Sequence, residues 1–281
     1  MHDADDIERR RDRTFRRLPS LRVAGPQRAA QFLDQSGLAS LFAYRQLNLP
    51  CLWVAVCGRR DPVFPQHSHH DPEVALAWNL KDQLPQAGTV FYGKLLRGKP
   101  TFVSWSLFPA IHRLFGPRTD HRTAFRAGLL SPAANAILAA LHRHRPQETL
   151  ALKLATNLAR PTQRRTFDAA IAELQQTLHI CMVEVRYDPF TYVWDLVAQR
   201  QAAGVRGARR LGEDEAAVSV LRRYLAAVIA ATPNDVAMVV GGRARAERAL
   251  ATLAAEGMVE TGATIRGRGG KWVVWREGCV A

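Results

Sequence analysis

The strongest constraint on the fold is a pattern of three helices followed by two strands, which occurs twice between residues 131 and 275. The apolar spacing and the turn residues predict the bounds of each copy. The first copy has helices at 131–146, 149–158 and 164–180 and two strands within 180–197. The second has helices at 213–231, 232–242 and 243–259 and two strands within 260–275.

The two copies superpose along their third helices with a constant offset of 79 positions. This offset pairs Leu174 with Leu253 and Ile180 with Val259, so apolar positions coincide. Three helices followed by a hairpin are the order of a winged helix-turn-helix. The sequence therefore predicts a mainly α protein with small β-hairpins, an α+β fold of tandem winged helix-turn-helix domains.

The first half of the chain is less regular. Helices are predicted at 25–38, 72–84 and 106–116, with two strand-like runs within 89–105. The basic start of the chain fits either a solvated leader or a DNA-touching tail, and we expect the leader. The predicted segments are a charged N-terminal arm at 1–24, an N-terminal winged-helix-like domain at 25–126, a winged-helix domain at 127–205 and a C-terminal winged-helix domain at 206–281.

The charge balance indicates the kind of partner. The chain has 39 Lys and Arg residues against 25 Asp and Glu, a formal net charge of +14. Such an excess favours nucleic acid, an anionic membrane or an acidic protein as partner. No apolar run approaches a membrane span and the start has no signal-peptide core, so we expect a cytoplasmic protein without a membrane partner. The sequence leaves the oligomeric state open.

In a winged helix, the third helix packs its apolar stripe on the first two helices and presents its other face to a DNA groove. The polar face of the first copy's third helix carries arginines near its start, suited to phosphate, and glutamines, suited to adenine. The second copy adds a glycine-rich basic turn that is able to approach a DNA backbone closely. The predicted contacts to double-stranded DNA are Arg164, Arg165, Gln175, Gln176, Arg243, Arg245, Arg248, Arg266, Arg268 and Lys271. The alternative is that these charged faces meet only water or protein.

Several stretches resemble the winged-helix DNA glycosylases of the AlkZ/YcaQ type, and more closely their shorter AlkZ-related members. The matching segments lie at 49–56, 77–85, 90–111, 128–141 and 166–180. The resemblance implies tandem winged helices that form a concave basic surface for duplex DNA. It also implies hydrolysis of the N-glycosidic bond of alkylated or crosslinked purines, without a metal or another cofactor.

The catalytic motif of that family is a Gln, an apolar residue and then Gln or Asp. Its nearest counterpart here is Gln46, Leu47 and Asn48, which the resemblance implies as catalytic. Cleavage passes through an oxocarbenium-like sugar, so the site must position water and stabilise positive charge. Asn48 is able to orient a water molecule but not to take its proton. A non-catalytic regulator or lesion-recognition module is the alternative, with Gln46 and Asn48 as a polar loop that caps the first domain. A third possibility is a protein-interaction scaffold without DNA affinity.

Histidines and cysteines are the candidate metal ligands of the sequence. It places "HSHHD" at 67–71, and Cys51 and Cys57 are separated by five residues. This spacing is wider than the two to four residues usual for zinc. The sequence therefore predicts no metal site and reduced, structural cysteines.

Overall fold

The computed structural model describes residues 1–66, 70–276 and 278. Among them, helices predominate and the named strands form three small antiparallel sheets of three strands each. These observations confirm the predicted broad fold class, which is mainly helical with small β elements. No helix in the described part is both long and apolar enough to cross a membrane.

The N-terminal unit contains the first sheet. Its elements are α2 (Pro26–Ser36), β1 (Leu38–Ser40), α3 (Leu52–Cys57), α4 (Pro72–Gln86), β2 (Val90–Lys94) and β3 (Pro100–Ser104). Helix α2 ends at Gly37, whose φ of 72° closes the helix in a conformation that glycine adopts without strain. The sheet order is β1-β3-β2. Two helices follow this unit, α5 (Phe108–Phe115) and α6 (His121–Arg126).

The middle unit repeats this order of elements. It comprises α7 (Pro132–Arg143), β4 (Gln147–Glu148), α8 (Thr149–Ala155), α9 (Arg164–Gln176), β5 (Ile180–Tyr187) and β6 (Phe190–Leu196). Ser131 caps α7 by accepting a hydrogen bond from the Ala134 backbone, as predicted. Its sheet order is β4-β6-β5. The connection to the next unit holds α10 (Val197–Arg200) and α11 (Ala202–Arg210).

The C-terminal unit has the same order again. Its elements are α12 (Glu213–Val228), β7 (Ala230–Ala231), α13 (Pro233–Val240), α14 (Arg243–Ala255), β8 (Val259–Ile265) and β9 (Arg268–Trp275). Its sheet order is β7-β9-β8, so the last strand is central in all three sheets. Three units of one connectivity therefore follow each other along the chain.

The offset of 79 positions is retained in three dimensions. Helices α9 and α14 begin and end 79 positions apart, and Leu174 and Leu253 are both fully buried. Both helices end earlier than predicted, because Leu178 and Gly257 take up left-handed backbone conformations with φ of 53° and 74°. These two residues are also 79 positions apart. The apolar residues after them belong to strands β5 and β8.

The expectation of a solvated leader is wrong for the start of the chain. Residues Ala4–Thr14 form helix α1, which packs on the C-terminal unit. Ile7 is 1% exposed and lies in one apolar cluster with Ile265 and Val274. Arg11 donates hydrogen bonds to backbone oxygens at the end of α12 and in β7, so the arm is part of the folded protein.

The largest apolar cluster connects the units. It joins residues of α5, such as Phe108 and Ile111, to residues of α12, such as Leu221 and Leu225. Two further clusters fill the N-terminal and middle units. Because α5 and α12 share one core, this packing holds the first and last units against each other.

Candidate nucleic-acid interface

Helix α9 presents cations at its start. Its apolar face, with Phe167, Ile171 and Leu174, is buried in the middle unit. Arg164 and Arg165 lie on the exposed side, and the Arg164 side chain is 79% exposed. The carboxylate nearest to Arg164 along this helix is that of Asp168, at 3.7 Å. An exposed pair at that distance is weak, so both arginines are available to a polyanion.

The other end of the polar face of α9 is only partly exposed to solvent. Gln175 is only 6% exposed, and its Oε1 accepts a hydrogen bond from the Lys94 backbone at 3.1 Å. Its Nε2 donates to the Ile171 carbonyl at 3.2 Å. Both amide atoms are thus occupied, because the end of β2 packs on this part of the helix. The prediction that Gln175 reads a base edge is wrong, whereas Gln176 is exposed.

A basic loop at residues 94–99 lies between the middle and C-terminal units. It packs against α9, where the side-chain Nε2 of Gln176 lies beside Gly98. On its other side, Nε of Arg97 lies 3.2 Å from the sulfur of Met238 in α13. Lys94 and Arg97 are exposed. The sequence reasoning missed this loop, although its "KLLRGK" sequence, with three cations in six residues, was a usable signal.

The basic loop also contacts the predicted catalytic segment. Lys99 Nζ lies 5.4 Å from the ring centre of Tyr44, the first residue of the turn at residues 44–48. We call this segment the Tyr44 turn. It is closed by a hydrogen bond from the Leu47 backbone to the Tyr44 carbonyl at 2.9 Å, and the buried Leu47 anchors it to the core. Gln46 is exposed at this turn, so its side chain is free to meet a ligand.

Asn48 occupies a different environment. Its Nδ2 donates to the Ala230 carbonyl at 3.0 Å, and its Oδ1 accepts from Arg11 Nη2 at 3.3 Å. Both ends of the amide are therefore used to join the Tyr44 turn to α1 and β7. This argues against a water-positioning role for Asn48, because both amide atoms already make structural hydrogen bonds.

The predicted contacts of the C-terminal unit fall into two groups. Arg243, Arg266 and Lys271 are exposed. Arg245, with 17% of its side chain exposed, donates to Glu213 at 2.9 Å and to the Val240 carbonyl at 2.7 Å. Its role as a DNA contact is contradicted, because an internal carboxylate and a helix end already bind its guanidinium.

Two further predicted cations have carboxylate partners but keep some exposure. Arg248 lies 2.9 Å from Asp214, and Arg268 lies 2.7 Å from Glu8. The turn of this hairpin is also tighter than the sequence suggested, because β8 ends at Ile265 and β9 begins at Arg268. The exposed cations of the hairpin are therefore Arg266 in the turn and Lys271 on β9.

An aromatic cavity of about 320 Å³ opens between β2, α9 and the middle sheet. Its walls include the rings of Tyr92, Phe167, Tyr192 and Trp194. Lys94 and Asp168 also line it, so it borders both the basic loop and the exposed side of α9. Pro100, the residue after Lys99, is another wall residue. A cavity of this size with aromatic walls and a few polar groups is typical of small-molecule sites.

The predicted absence of a metal site is not tested by the structure. Cys51 and Cys57 are buried, and burial raises the pKa of each thiol to about 12. His67 and His69 lie outside the described residues. In the part of the chain that is described, no three His, Cys, Asp or Glu side chains are grouped for a metal ion.

Comparisons with known proteins give two matches. The AlkZ-related family matches residues 23–237. The solved structure of the Streptomyces sahachiroi DNA glycosylase AlkZ superposes with a TM-score of 0.52 at 14% sequence identity. That match covers 99% of this chain and 71% of the other. At this identity the likeness concerns the fold alone. None of the curated proteins compared matches the sequence.

Proposed function

The chain belongs to the AlkZ-related family, and on that basis we propose that it binds duplex DNA and hydrolyses the N-glycosidic bond of alkylated or crosslinked purines. The observation that carries this proposal is the contact between the basic loop and the Tyr44 turn. Lys99 Nζ lies 5.4 Å from the Tyr44 ring centre, and the exposed Gln46 follows Tyr44 by two residues in the same turn. A DNA backbone bound along the loop would place a nucleotide beside that glutamine.

We further propose that the three units are winged helices, within residues 25–126, 127–205 and 206–281, with α1 attached to the third. Each has a helix, a strand, further helices and a hairpin, and each has the same sheet order. In this arrangement, α9 and α14 are the third helices of the middle and C-terminal units. The proposed duplex contacts are the exposed cations Arg164, Arg165, Arg243, Arg266 and Lys271, together with Lys94, Arg97 and Lys99 of the basic loop.

In the proposed reaction, Gln46 orients a water molecule toward the anomeric carbon of the damaged nucleotide. An alkylated purine is already a cationic leaving group, so the sugar–base bond needs little further activation. We assign Asp168, which lines the aromatic cavity, to accept hydrogen bonds from a base that leaves the stack. The rings of Tyr92 and Tyr192 supply the apolar walls.

We expect the protein to act in the cytoplasm.

The test is incubation of the purified protein with N7-alkylated and undamaged duplexes. Base release is scored as abasic sites, and duplex retention is scored separately. The proposal expects abasic sites only in the alkylated duplex, lost in Gln46→Ala and kept in Gln31→Ala, an exposed glutamine on α2. Absence of abasic sites beside an active glycosylase control would refute the enzymatic part.

The second candidate is a non-catalytic lesion-recognition module or regulator. The observation that favours it is the occupied amide of Asn48, which removes one of the two polar residues expected in the site. This candidate expects salt-sensitive duplex retention with no base release, and the same retention in Gln46→Ala. The scaffold alternative expects no retention at low salt, so the one experiment separates all three.

A further inference from the structure

A second cavity, of about 600 Å³, lies between the α5–α6 connection, α7, β6 and α11. Neither the basic loop nor the Tyr44 turn contributes to its walls. Four imidazoles line it: His112, His121, His142 and His179. The rings of His121 and His142 stack with their centres 4.6 Å apart. We call this space the histidine cavity.

The charged groups of the histidine cavity are mainly cationic. Arg113, Arg118 and Arg209 line it, and the lining carboxylate is that of Asp120. Arg118 also forms an ion pair with Glu213, so Arg113 and Arg209 supply most of the available positive charge. Asp120 is already engaged, because it caps α6 by accepting hydrogen bonds from the Arg122 and Thr123 backbones. The walls therefore carry an excess of positive charge, which favours an anionic ligand.

Two buried nitrogens in these walls have no hydrogen-bond partner in the described structure. They are Nε of Arg113 and Nε2 of His179. Buried polar atoms in folded proteins nearly always have a partner, in the protein, in water or in a ligand. Here the residues that carry both atoms, Arg113 and His179, line the same cavity, so an oxyanion bound in it is a candidate partner for each.

The hydrogen bonds of His179 fix its neutral tautomer. Thr177 donates its one hydroxyl proton to the Glu173 carbonyl at 2.8 Å. It therefore accepts at its oxygen, and the donor is His179 Nδ1, 2.8 Å away. The neutral ring thus has a bare Nε2, which must gain a proton before it donates to an anion.

The surroundings of this ring favour its neutral form. Burial lowers the pKa of His179 to about 4, and the nearby His112, His121 and His142 lower it too, while Glu173 opposes them. Burial, with Arg209 beside it, also lowers the pKa of His112 to about 4. An oxyanion placed against these rings would favour their protonated forms.

We propose that the histidine cavity binds a phosphate group, which Arg113 and Arg209 contact directly and which takes up a proton with it on His179. The phosphate belongs either to a small phosphorylated molecule, such as a nucleoside monophosphate, or to a DNA 5′ end. Guanidinium and phosphate pair through charge-assisted hydrogen bonds. Since binding and protonation are coupled, acid strengthens binding, and binding raises the proton affinity of His179. This site is independent of the glycosylase proposal.

The experiment is calorimetry on the whole protein with three probes between pH 5 and pH 8. Sulfate serves as an oxyanion that does not titrate in this range, and a nucleoside 5′-monophosphate and 5′-phosphorylated duplex represent the two sources. The expected affinity for sulfate rises as the pH falls, by up to about tenfold per pH unit for one proton taken up. Buffers of different ionisation enthalpy measure that proton directly.

Variants of two residues that line the cavity, His179 and Arg209, complete the test. His179→Gln is expected to remove most of the pH dependence, and Arg209→Ala to weaken binding about tenfold or more. Arg59→Gln is the control, because Arg59 is a surface arginine paired with Glu73 and lines neither the histidine cavity nor the basic loop, and it should bind sulfate as the parent protein does. A preference for 5′-phosphorylated over 5′-hydroxyl duplex would assign the phosphate to DNA ends, and nucleotide binding without that preference would assign it to a small molecule.

The proposal is overturned if none of the probes binds to the unaltered protein. It is equally overturned if sulfate binds with the same pH dependence in His179→Gln and with unchanged affinity in Arg209→Ala. Because the pH profile and the proton uptake are measured on the parent protein, the proposal stays testable even when a variant fails to fold. An inactive glycosylase with intact sulfate binding would refute only the proposed function.

Discussion

Arg11 in the first helix donates from Nη2 to the side-chain oxygen of Asn48, 3.3 Å away. The same nitrogen donates to the Ala230 carbonyl at 2.8 Å, and Asn48 itself donates to that carbonyl. These three bonds join α1, the Tyr44 turn and β7 at one point. The turn that carries Gln46 is therefore held in place by groups from α1 and from β7, which lie far from it in the sequence.

Replacing Asn48 with alanine should destabilise the protein without abolishing DNA binding. The change leaves the Arg11 guanidinium short of one acceptor in a largely buried place, at a cost of about 1–3 kcal/mol. Denaturant unfolding of Asn48→Ala measures this loss. Gln46→Ala is the control, because its side chain is exposed and its removal should change the free energy of unfolding by less than about 0.5 kcal/mol.

Gln46→Ala should lower base release by about 10²- to 10⁴-fold if Gln46 positions the attacking water. Duplex retention should be unchanged, since the cations that bind phosphate are not altered. Single-turnover assays on alkylated duplex measure the chemical step separately from binding. Equal rates for the parent protein and the variant would remove Gln46 from the catalytic site.

Neutralising the basic loop should reduce the salt dependence of duplex binding. Each of Lys94→Gln, Arg97→Gln and Lys99→Gln that removes a phosphate contact should lower the slope of log K against log salt by about 0.9. The control is Arg59→Gln, because Arg59 is held 2.7 Å from Glu73 in a surface ion pair. If the loop variants keep the parent slope, the duplex does not run along this loop.

Stability should fall in acid because of Glu8. Burial alone would raise the pKa of this carboxyl, but hydrogen bonds from Arg17 and Arg268 and the charge of Arg11 lower it to about 2. A depressed pKa contributes stability that is complete above the ordinary value of 4.5 and is lost as the pH falls toward 2. The contribution has an upper bound of about 3 kcal/mol. Urea unfolding measures the decrease in the free energy of unfolding between pH 6 and pH 3. This decrease should be smaller for Glu8→Gln than for the parent protein. An equal decrease would exclude Glu8 as a cause of the acid sensitivity.

Ile7→Ala should show that the first helix is part of the folded protein. Removal of a fully buried isoleucine side chain typically costs about 2–5 kcal/mol. Thermal unfolding of Ile7→Ala should give a lower Tm than that of the parent protein, while Arg9→Ala, on the exposed side of α1, should leave the Tm nearly unchanged. A parental Tm for Ile7→Ala would mean that α1 is detached in solution.

The elements that repeat were predictable because their apolar spacing is regular. Leu174 and Leu253 follow helical periodicity, and the offset between them recurs in the helix bounds. The strands β1, β4 and β7 were missed, since two or three residues are too few to show an alternating pattern. Each forms because the last strand of the hairpin that follows it in the same unit has a free edge, with which the short strand pairs.

The contacts of polar residues were the least predictable part. Gln175 lies on the polar side of its helix, but its hydrogen-bond partner Lys94 is 81 positions earlier in the sequence. The first helix has few apolar residues, and it is held by ion pairs such as those of Asp12 with Arg17 and Arg60. Such pairings depend on which units meet in three dimensions, and a local pattern of charges does not specify them.

The docking of α1 on the C-terminal unit has a consequence for synthesis on the ribosome. Ile7 is translated well over 200 residues before Ile265 and Val274, its partners in one apolar cluster. During translation α1 therefore lacks its partner surface until β8 and β9 are made, although the apolar clusters within the N-terminal and middle units are complete by then. A nascent chain that stalls before β7 would lack the Ala230 carbonyl, which accepts hydrogen bonds from both Arg11 and Asn48, so its Tyr44 turn would carry the exposed Gln46 without this anchor.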